Sequence, residues 1–204
     1  MRPVLENDGW EVLAFGLDAQ PSRIEDISAC LSEDERRRSR NLTLERDRRR
    51  FIMARAQLRH LLASRIGIAP SEVELEYGPQ GKPRLSRRMP GRELHFGASR
   101  SEDLAVIALS VKHEVGVDIE AVRPVPEADD IAALCFSVPE YESYRALDAE
   151  DKPEGFLRRW TRLEALAKAL GCGLGCSFSA DEQDWTVHSF VPKPGYIGTV
   201  AVLN

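Results

Sequence analysis

No apolar run in the chain approaches the roughly 18 residues that cross a bilayer, and its opening, MRPVLENDGWEVLAF, lacks the charged-then-apolar order of a secretion signal. A membrane protein is therefore not expected, and the expected location is the cytoplasm. Cysteine is scarce. The four residues at 30, 135, 172 and 176 form no tight framework of the kind that staples a small secreted fold, so reduced thiols are expected. The one close pair, in CGLGC, has no neighbouring histidine or second pair, and a zinc site is not expected there. Internal repeats, low-complexity segments and an obvious linker are missing as well, and so is any recognisable nucleic-acid module.

What is present is an ordinary globular composition. The 204 residues, 43% hydrophobic and 30% charged, suffice for one large domain or two small ones packed intimately together. The net charge of −5 hides an uneven distribution: ten arginines fall between Arg36 and Arg59, in RRRSRNLTLERDRRRFIMARAQLR, while acids dominate 118 to 154. The overall acidity and the lack of interleaved aromatics argue against a nucleic-acid partner. Much of the basic run reads as an exposed helix with i to i+4 pairs such as Glu45 with Arg49. A few of its arginines remain available to phosphate or to an acidic partner protein.

The hydrophobic pattern predicts an α+β arrangement. WEVLAFGL alternates like a strand, and LSEDERRR opens a helix through a capping box of Ser32 and Glu35. RDRRRFIMARAQLRHLLASRIG is one long helix with a stripe of Phe51, Ala54, Leu58, Leu61 and Leu62, ended by Gly67. VELEYG is a short strand before the turn GPQGKP. DLAVIALSV and EVGVDIEAV read as strands, the first buried on both faces, and the short connector KHE between them predicts antiparallel pairing. SVPEYESYRAL begins a helix with Ser137 and Glu140 as its capping box, PEGFLRRWTRLEALAKALG is the strongest helix in the chain, and WTVHSFVPKPGYIGTVAVLN reads as a hairpin about a Pro-Gly turn.

The chemistry starts from VGVDIE. Residues i and i+2 of a strand share a face, so Asp118 and Glu120 project together, about 6 to 7 Å apart, while Val115, Val117 and Ile119 face the core. Two acids there are either a solvated sheet edge or half of a cation site. On the later helix, Trp160, Glu164 and Lys168 recur every four residues along one face. Taken alone they read as a core Trp and an ordinary Glu to Lys surface pair. Taken with the strand acids, Glu164 completes an oxygen-rich set suited to Mg²⁺, which takes a few carboxylates plus substrate phosphates.

The order of GKP (Gly81 to Pro83), FGASRS (Phe96 to Ser101), GVDIE (Gly116 to Glu120), FLRRWTRLEALAKALG (Phe156 to Gly171) and PGY (Pro194 to Tyr196) resembles the 4′-phosphopantetheinyl transferases of the single-chain type, from about Leu31 onward. The resemblance implies a pseudo-dimer of two similar α+β subdomains, each a small, mostly antiparallel sheet packed with a long helix. Here these are residues 1–112 and 113–204, with the active site at their interface. It implies transfer of phosphopantetheine from coenzyme A to a serine of an apo acyl or peptidyl carrier protein, releasing adenosine 3′,5′-bisphosphate, by a monomeric enzyme. Asp118, Glu120 and Glu164 match the family's metal-binding acids, with Glu164, Lys168 and Asp118 as the catalytic group. Glu164 is the expected acceptor of the serine proton and Lys168 the stabiliser of phosphate charge. By the same resemblance Arg50, Lys82, Ser99, Arg100 and Lys168 bind coenzyme A. Gly116, on the face of the acids, is expected to leave room for the pyrophosphate. Two positions depart from the family pattern: Arg100 stands where NLSHS has histidine, and Leu163 where W-x-x-K-E has lysine. Arginine keeps a phosphate contact, whereas leucine removes a cation. A paralogue that binds coenzyme A or carrier without efficient transfer is the alternative, and a phosphohydrolase using water in place of serine is a third.

Overall fold

The computed structural model describes residues 1–173 and 184–204. In chain order the elements are β1 (Arg2–Asn7), β2 (Trp10–Gly16), α1 (Pro21–Ser28), α2 (Glu33–Arg40), α3 (Glu45–Ile66), β3 (Leu75–Tyr77), β4 (Pro83–Leu85), β5 (His95–Ser101), β6 (Leu104–Ser110), β7 (Val115–Ala121), α4 (Ala128–Cys135), α5 (Val138–Arg145), α6 (Lys152–Leu170), β8 (Trp185–Phe190) and β9 (Tyr196–Leu203). The fold is α+β. β1-β2-β6-β5 form one antiparallel sheet, β7-β9-β8 another, and β3 and β4 a small hairpin. No described helix is long and apolar enough to cross a membrane. The CGLGC reading falls partly on residues 174–183, outside the described residues.

Alternation along the strands sets the layers. Leu13, Phe96, Ile107 and Leu109 face one way and pack with Leu58, Leu62 and Ala63 of α3. Val12, Ala14, Val106 and Ala108 face the other way, against Val115, Val117, Ile119, Val200 and Val202 of the second sheet. Helix α6 covers that sheet's remaining face through Ala165 and Ala169. The two sheets thus meet through apolar faces, with one long helix outside each. Across this contact the tip of the β5–β6 turn is tied to the β8–β9 turn: Asp103 accepts from Tyr196 Oη and pairs with Lys193 Nζ at 2.7 Å.

The local signals hold. Ser32 and Glu35 cap α2, Ser137 and Glu140 cap α5, and Gly67 and Gly171 close the two long helices in the left-handed conformation, at φ of 74° and 69°. Glu45 pairs with Arg49 at 2.8 Å, and most of the other arginines on α2 and α3 also meet nearby acids.

Two expectations are corrected. Strands β6 and β7 do not pair: both edges of β6 are taken by β2 and β5, so the chain crosses at 111–114 into the second sheet, where β7 pairs with β9. The buried face of α3 is Met53, Ala56, Leu58, Arg59, Leu62 and Ala63 rather than the stripe centred on Phe51, Ala54 and Leu61. The reason is a second cover: Ile24 packs with Met53, and Cys30 and Leu31 with Ala56, turning Phe51 and Ala54 toward a cleft. The same burial requires the pair Glu35 and Arg59, each 3% exposed, with Arg59 Nε donating to Glu35 Oε2 at 2.6 Å and Nη1 to the Val73 carbonyl at 2.9 Å.

Candidate active site

Asp118 and Glu120 lie where β7 passes beside β5. The two strands run in the same direction with a constant offset of 19 residues. Ser99 Oγ donates to Asp118 Oδ1 at 2.8 Å and Ser101 Oγ to Glu120 Oε2 at 2.7 Å, while Gly97 meets Gly116 backbone to backbone. A Cβ at Gly97 would stand 3.2 Å from Gly116 Cα, so the approach is as close as the absence of side chains allows. Among the described residues no backbone ladder joins the strands, and side-chain hydroxyls fill that role.

Helix α6 brings the remaining groups. Lys168 Nζ donates to Asp118 Oδ1 at 2.5 Å and to Ser99 Oγ at 3.2 Å, and stands 3.8 Å from Glu164 Oε2. All three carboxyls are held above their ordinary values, in each case chiefly by burial. At Asp118 the Lys168 ammonium and the Ser99 hydroxyl oppose that effect; at Glu120 the Ser101 hydroxyl opposes it and the Asp118 charge adds to it; at Glu164 Lys168 opposes and Asp118 adds. Asp118 is 3% exposed, and its Oδ2 is buried with no hydrogen-bond partner. An orphaned carboxylate oxygen in a buried site is costly unless a cation or donor completes it.

The sequence-predicted set is thus partly assembled. Asp118, Glu120, Glu164, Lys168 and Ser99 converge. Arg100 is exposed, its guanidinium 5.9 Å from the Phe51 ring centroid, and lines a cleft of about 370 Å³ with Phe51, Arg55, Ser99 and Lys168. Arg50 turns elsewhere: it grips Asp18 with Nε at 2.7 Å and Nη2 at 3.0 Å and stands 3.7 Å from Glu102. Lys82 Nζ bonds Glu114 at 2.5 Å and the Ala169 carbonyl at 2.6 Å. It thereby tethers the β3–β4 hairpin to the C-terminal end of α6, beside a separate cleft lined by Arg84, Arg87, Arg92 and His95. Burial holds its ammonium below the ordinary value, against the pull of Glu114.

Sequence reasoning missed Arg55, whose Nε donates to Glu35 Oε1 at 2.8 Å and whose Nη2 donates to Tyr77 Oη at 2.7 Å, fixing it at the cleft wall. Nothing in a run of ten arginines distinguishes it except its place one turn after Phe51. The expectation for Gly116 is corrected. A Cβ there would lie 2.1 Å from the Ala165 carbonyl oxygen and 2.3 Å from the Ala169 nitrogen, so the space belongs to the α6 backbone. Leu163 packs, with Trp160, against the apolar cluster that holds Phe136, Tyr144, Phe156 and Leu157, and Trp160 stacks on Phe156.

Among the described residues no three Asp, Glu, His or Cys side chains are gathered closely enough to hold a metal ion as they stand. The donor set nevertheless fits a hard cation: three carboxylates, all destabilised as anions by burial, and one oxygen of Asp118 without a partner. The Lys168 ammonium provides the positive charge at that spot.

Comparison with known proteins meets the same two parts of the chain. Residues 18–112 match the family model described as 4′-phosphopantetheinyl transferase, N-terminal, and residues 114–197 match that of the 4′-phosphopantetheinyl transferase superfamily. The 4′-phosphopantetheinyl transferase HetI of Nostoc sp. is 37% identical over 170 residues, which are 83% of this chain and 72% of that protein. A putative 4′-phosphopantetheinyl transferase of Synechocystis sp. is 31% identical over 82% of this chain and 68% of its own length. The 4′-phosphopantetheinyl transferase AcpT of Escherichia coli K12 is 36% identical over 70% and 66%.

Proposed function

The chain belongs to the 4′-phosphopantetheinyl transferase family, and from that premise we propose that it moves phosphopantetheine from coenzyme A to a serine of an apo carrier protein, at the seam between residues 1–112 and 113–204. The observation that carries this reading is Asp118. It is buried where the two sheets meet, bonded on one oxygen by Ser99 and Lys168, and left without a partner on the other.

In the proposed reaction the serine oxygen attacks the phosphorus bearing the pantetheine arm. The bond from that phosphorus to the bridging oxygen breaks, and adenosine 3′,5′-bisphosphate leaves. Catalysis of this kind rests on positioning and charge neutralisation more than on covalent help from the protein. Asp118, Glu120 and Glu164 would hold Mg²⁺, which when bound supplies charge neutralisation across the two phosphates. Glu164, whose carboxyl burial holds above its ordinary value, is the group assigned to accept the serine proton. Lys168, whose ammonium bonds Asp118 and Ser99 at the cleft, steadies charge on the transferring phosphate. Arg100 and Ser99, which line the cleft, would meet phosphate from its wall. Lys82 and Arg50 reach phosphate only by exchanging their present carboxylate partners, so they are assigned to the outer end of coenzyme A.

The test is the mass of an apo carrier protein after incubation with the enzyme, coenzyme A and Mg²⁺, run against fatty-acid, polyketide and peptide carriers. A gain of one phosphopantetheine is expected. Asp118→Ala is expected to lower the rate about 100-fold or more, in line with loss of a principal electrostatic group, and to abolish the dependence on Mg²⁺. An unmodified carrier while coenzyme A demonstrably binds would instead favour the paralogue that binds without transfer.

A further inference from the structure

The acids of VGVDIE belong to the second sheet, but the groups that orient them come from the first. The wiring at Ser101 is fully specified. Its Oγ accepts the Ala121 amide at 3.1 Å, and the single hydroxyl proton is thereby directed at Glu120 Oε2, 2.7 Å away. Ser99 follows the same logic one pleat earlier, accepting from Lys168 Nζ and donating to Asp118 Oδ1. Without these bonds each carboxylate would turn broadly about its terminal torsion. With them, one oxygen of each acid is fixed, and at Asp118 the second oxygen is the one left without a partner.

We propose that Ser101, with Ser99 beside it, is a positioning residue for the bound cation, orienting acids of the second half from the first so that cation affinity depends on the docking of the two halves. The inference rests on the Mg²⁺ reading of Asp118, Glu120 and Glu164. Hydrogen bonds to ligating carboxylates are commonly worth about 10- to 100-fold in metal affinity, and that is the effect expected here.

The experiment is a Mn²⁺ titration of the whole chain followed by the electron paramagnetic resonance of free Mn²⁺. It is run with and without coenzyme A and corrected for binding to coenzyme A itself, on wild type, Ser101→Ala, Ser101→Thr and Asp118→Ala, with Tm measured for each. Ser101→Ala is expected to weaken binding about 10- to 100-fold with Tm little changed, and Ser101→Thr, which keeps the hydroxyl, to restore it. Wild-type affinity in Ser101→Ala overturns the positioning role while leaving the metal reading intact. Absence of binding in wild type, or unchanged binding in Asp118→Ala, overturns the metal reading and this inference with it. A loss of affinity that tracks a large fall in Tm and is not restored by Ser101→Thr assigns the hydroxyl to holding the halves together, and also overturns the proposal. Should Ser101→Ala not fold, Ser101→Cys, close in volume but a weak donor, is read by the same criterion.

Discussion

Substituting Gly116 by alanine separates two accounts of why a glycine stands beside the acids. An added Cβ would lie 2.1 Å from the Ala165 carbonyl oxygen, 2.3 Å from the Ala169 nitrogen and 2.8 Å from Ala169 Cα. Ordinary contacts lie near 3.5 Å or beyond, so the helix must retreat by roughly 1 Å. Both neighbours are helix backbone rather than the end of a flexible side chain, which puts the cost toward the upper end of the usual overpacking range of about 1 to 3 kcal/mol. For a chain of this size that is a fall in Tm of roughly 5 to 10 °C. The same retreat displaces Glu164 and Lys168, which neighbour Ala165 and Ala169 on α6, and a shift of about 1 Å in positioned groups can cost on the order of 100-fold in rate. Thermal melting by circular dichroism and initial rates of carrier modification measure the two effects, with the loss expected mainly in kcat. A variant with wild-type Tm whose only defect is a raised KM for coenzyme A would refute the argument, because it would assign the space at Gly116 to the substrate.

Two further perturbations test the frame around the site. Glu35→Gln removes the charge that holds Arg55 and Arg59, and breaking such a buried set is expected to cost about 3 to 5 kcal/mol by chemical denaturation; a loss below about 1 kcal/mol, the range of exposed pairs, would show that the arginines find other partners. Burial pushes the Glu35 carboxyl up, but Arg55, the Ser32 amide and Arg59 together hold it below its ordinary 4.5, so its stabilisation is complete above that pH and is lost as pH falls through the lowered value. The acid limb of the stability profile is therefore expected to flatten in Glu35→Gln. Leu163→Lys exchanges a half-buried apolar contact for a charge and is expected to cost about 1 kcal/mol, a Tm shift of a few degrees, while the folded variant transfers at least as fast as wild type; a slower rate at unchanged Tm would refute the idea that Leu163 acts only through packing.

The parts of this protein that were legible in the sequence are those settled within one element. Ser32 with Glu35, and Ser137 with Glu140, are capping boxes three residues apart; the glycines closing α3 and α6 follow their last apolar turns; the alternation in β2 and the continuous run in β6 name their faces. What was not legible depends on partners distant in sequence. The short connector between β6 and β7 looks like a hairpin locally, but β6 has no free edge once β2 and β5 are in place. The apolar stripe of α3 was displaced because α1 and α2 cover a second side of it, which no count along the helix reveals. Strand β1 has no clear alternating signature because it carries Pro3 and a register shift between Pro3 and Leu5, which its place at the sheet edge accommodates.

The site divides along the same line, and its charge explains why the division matters. Asp118 and Glu120 were readable as two acids on one strand face, and Glu164 with Lys168 as neighbours on a helix. The serines bonded to the strand acids are visible in the sequence only as part of FGASRS, since an offset of 19 residues between β5 and β7 corresponds to no periodicity of either strand. Once assembled, three carboxylates stand against one ammonium, leaving two formal negative charges in a half-buried cleft where burial already disfavours each anion. Such a deficit is met either by protonation or by a cation, and a divalent ion matches it in charge without disturbing Lys168. On the proposed reading a pyrophosphate entering afterwards would bring negative charge back, to be met by Lys168 and Arg100, which line the cleft. On that reading the cation is expected to bind before or together with coenzyme A, so that lowering Mg²⁺ weakens coenzyme A binding in the wild type and no longer does so in Asp118→Ala.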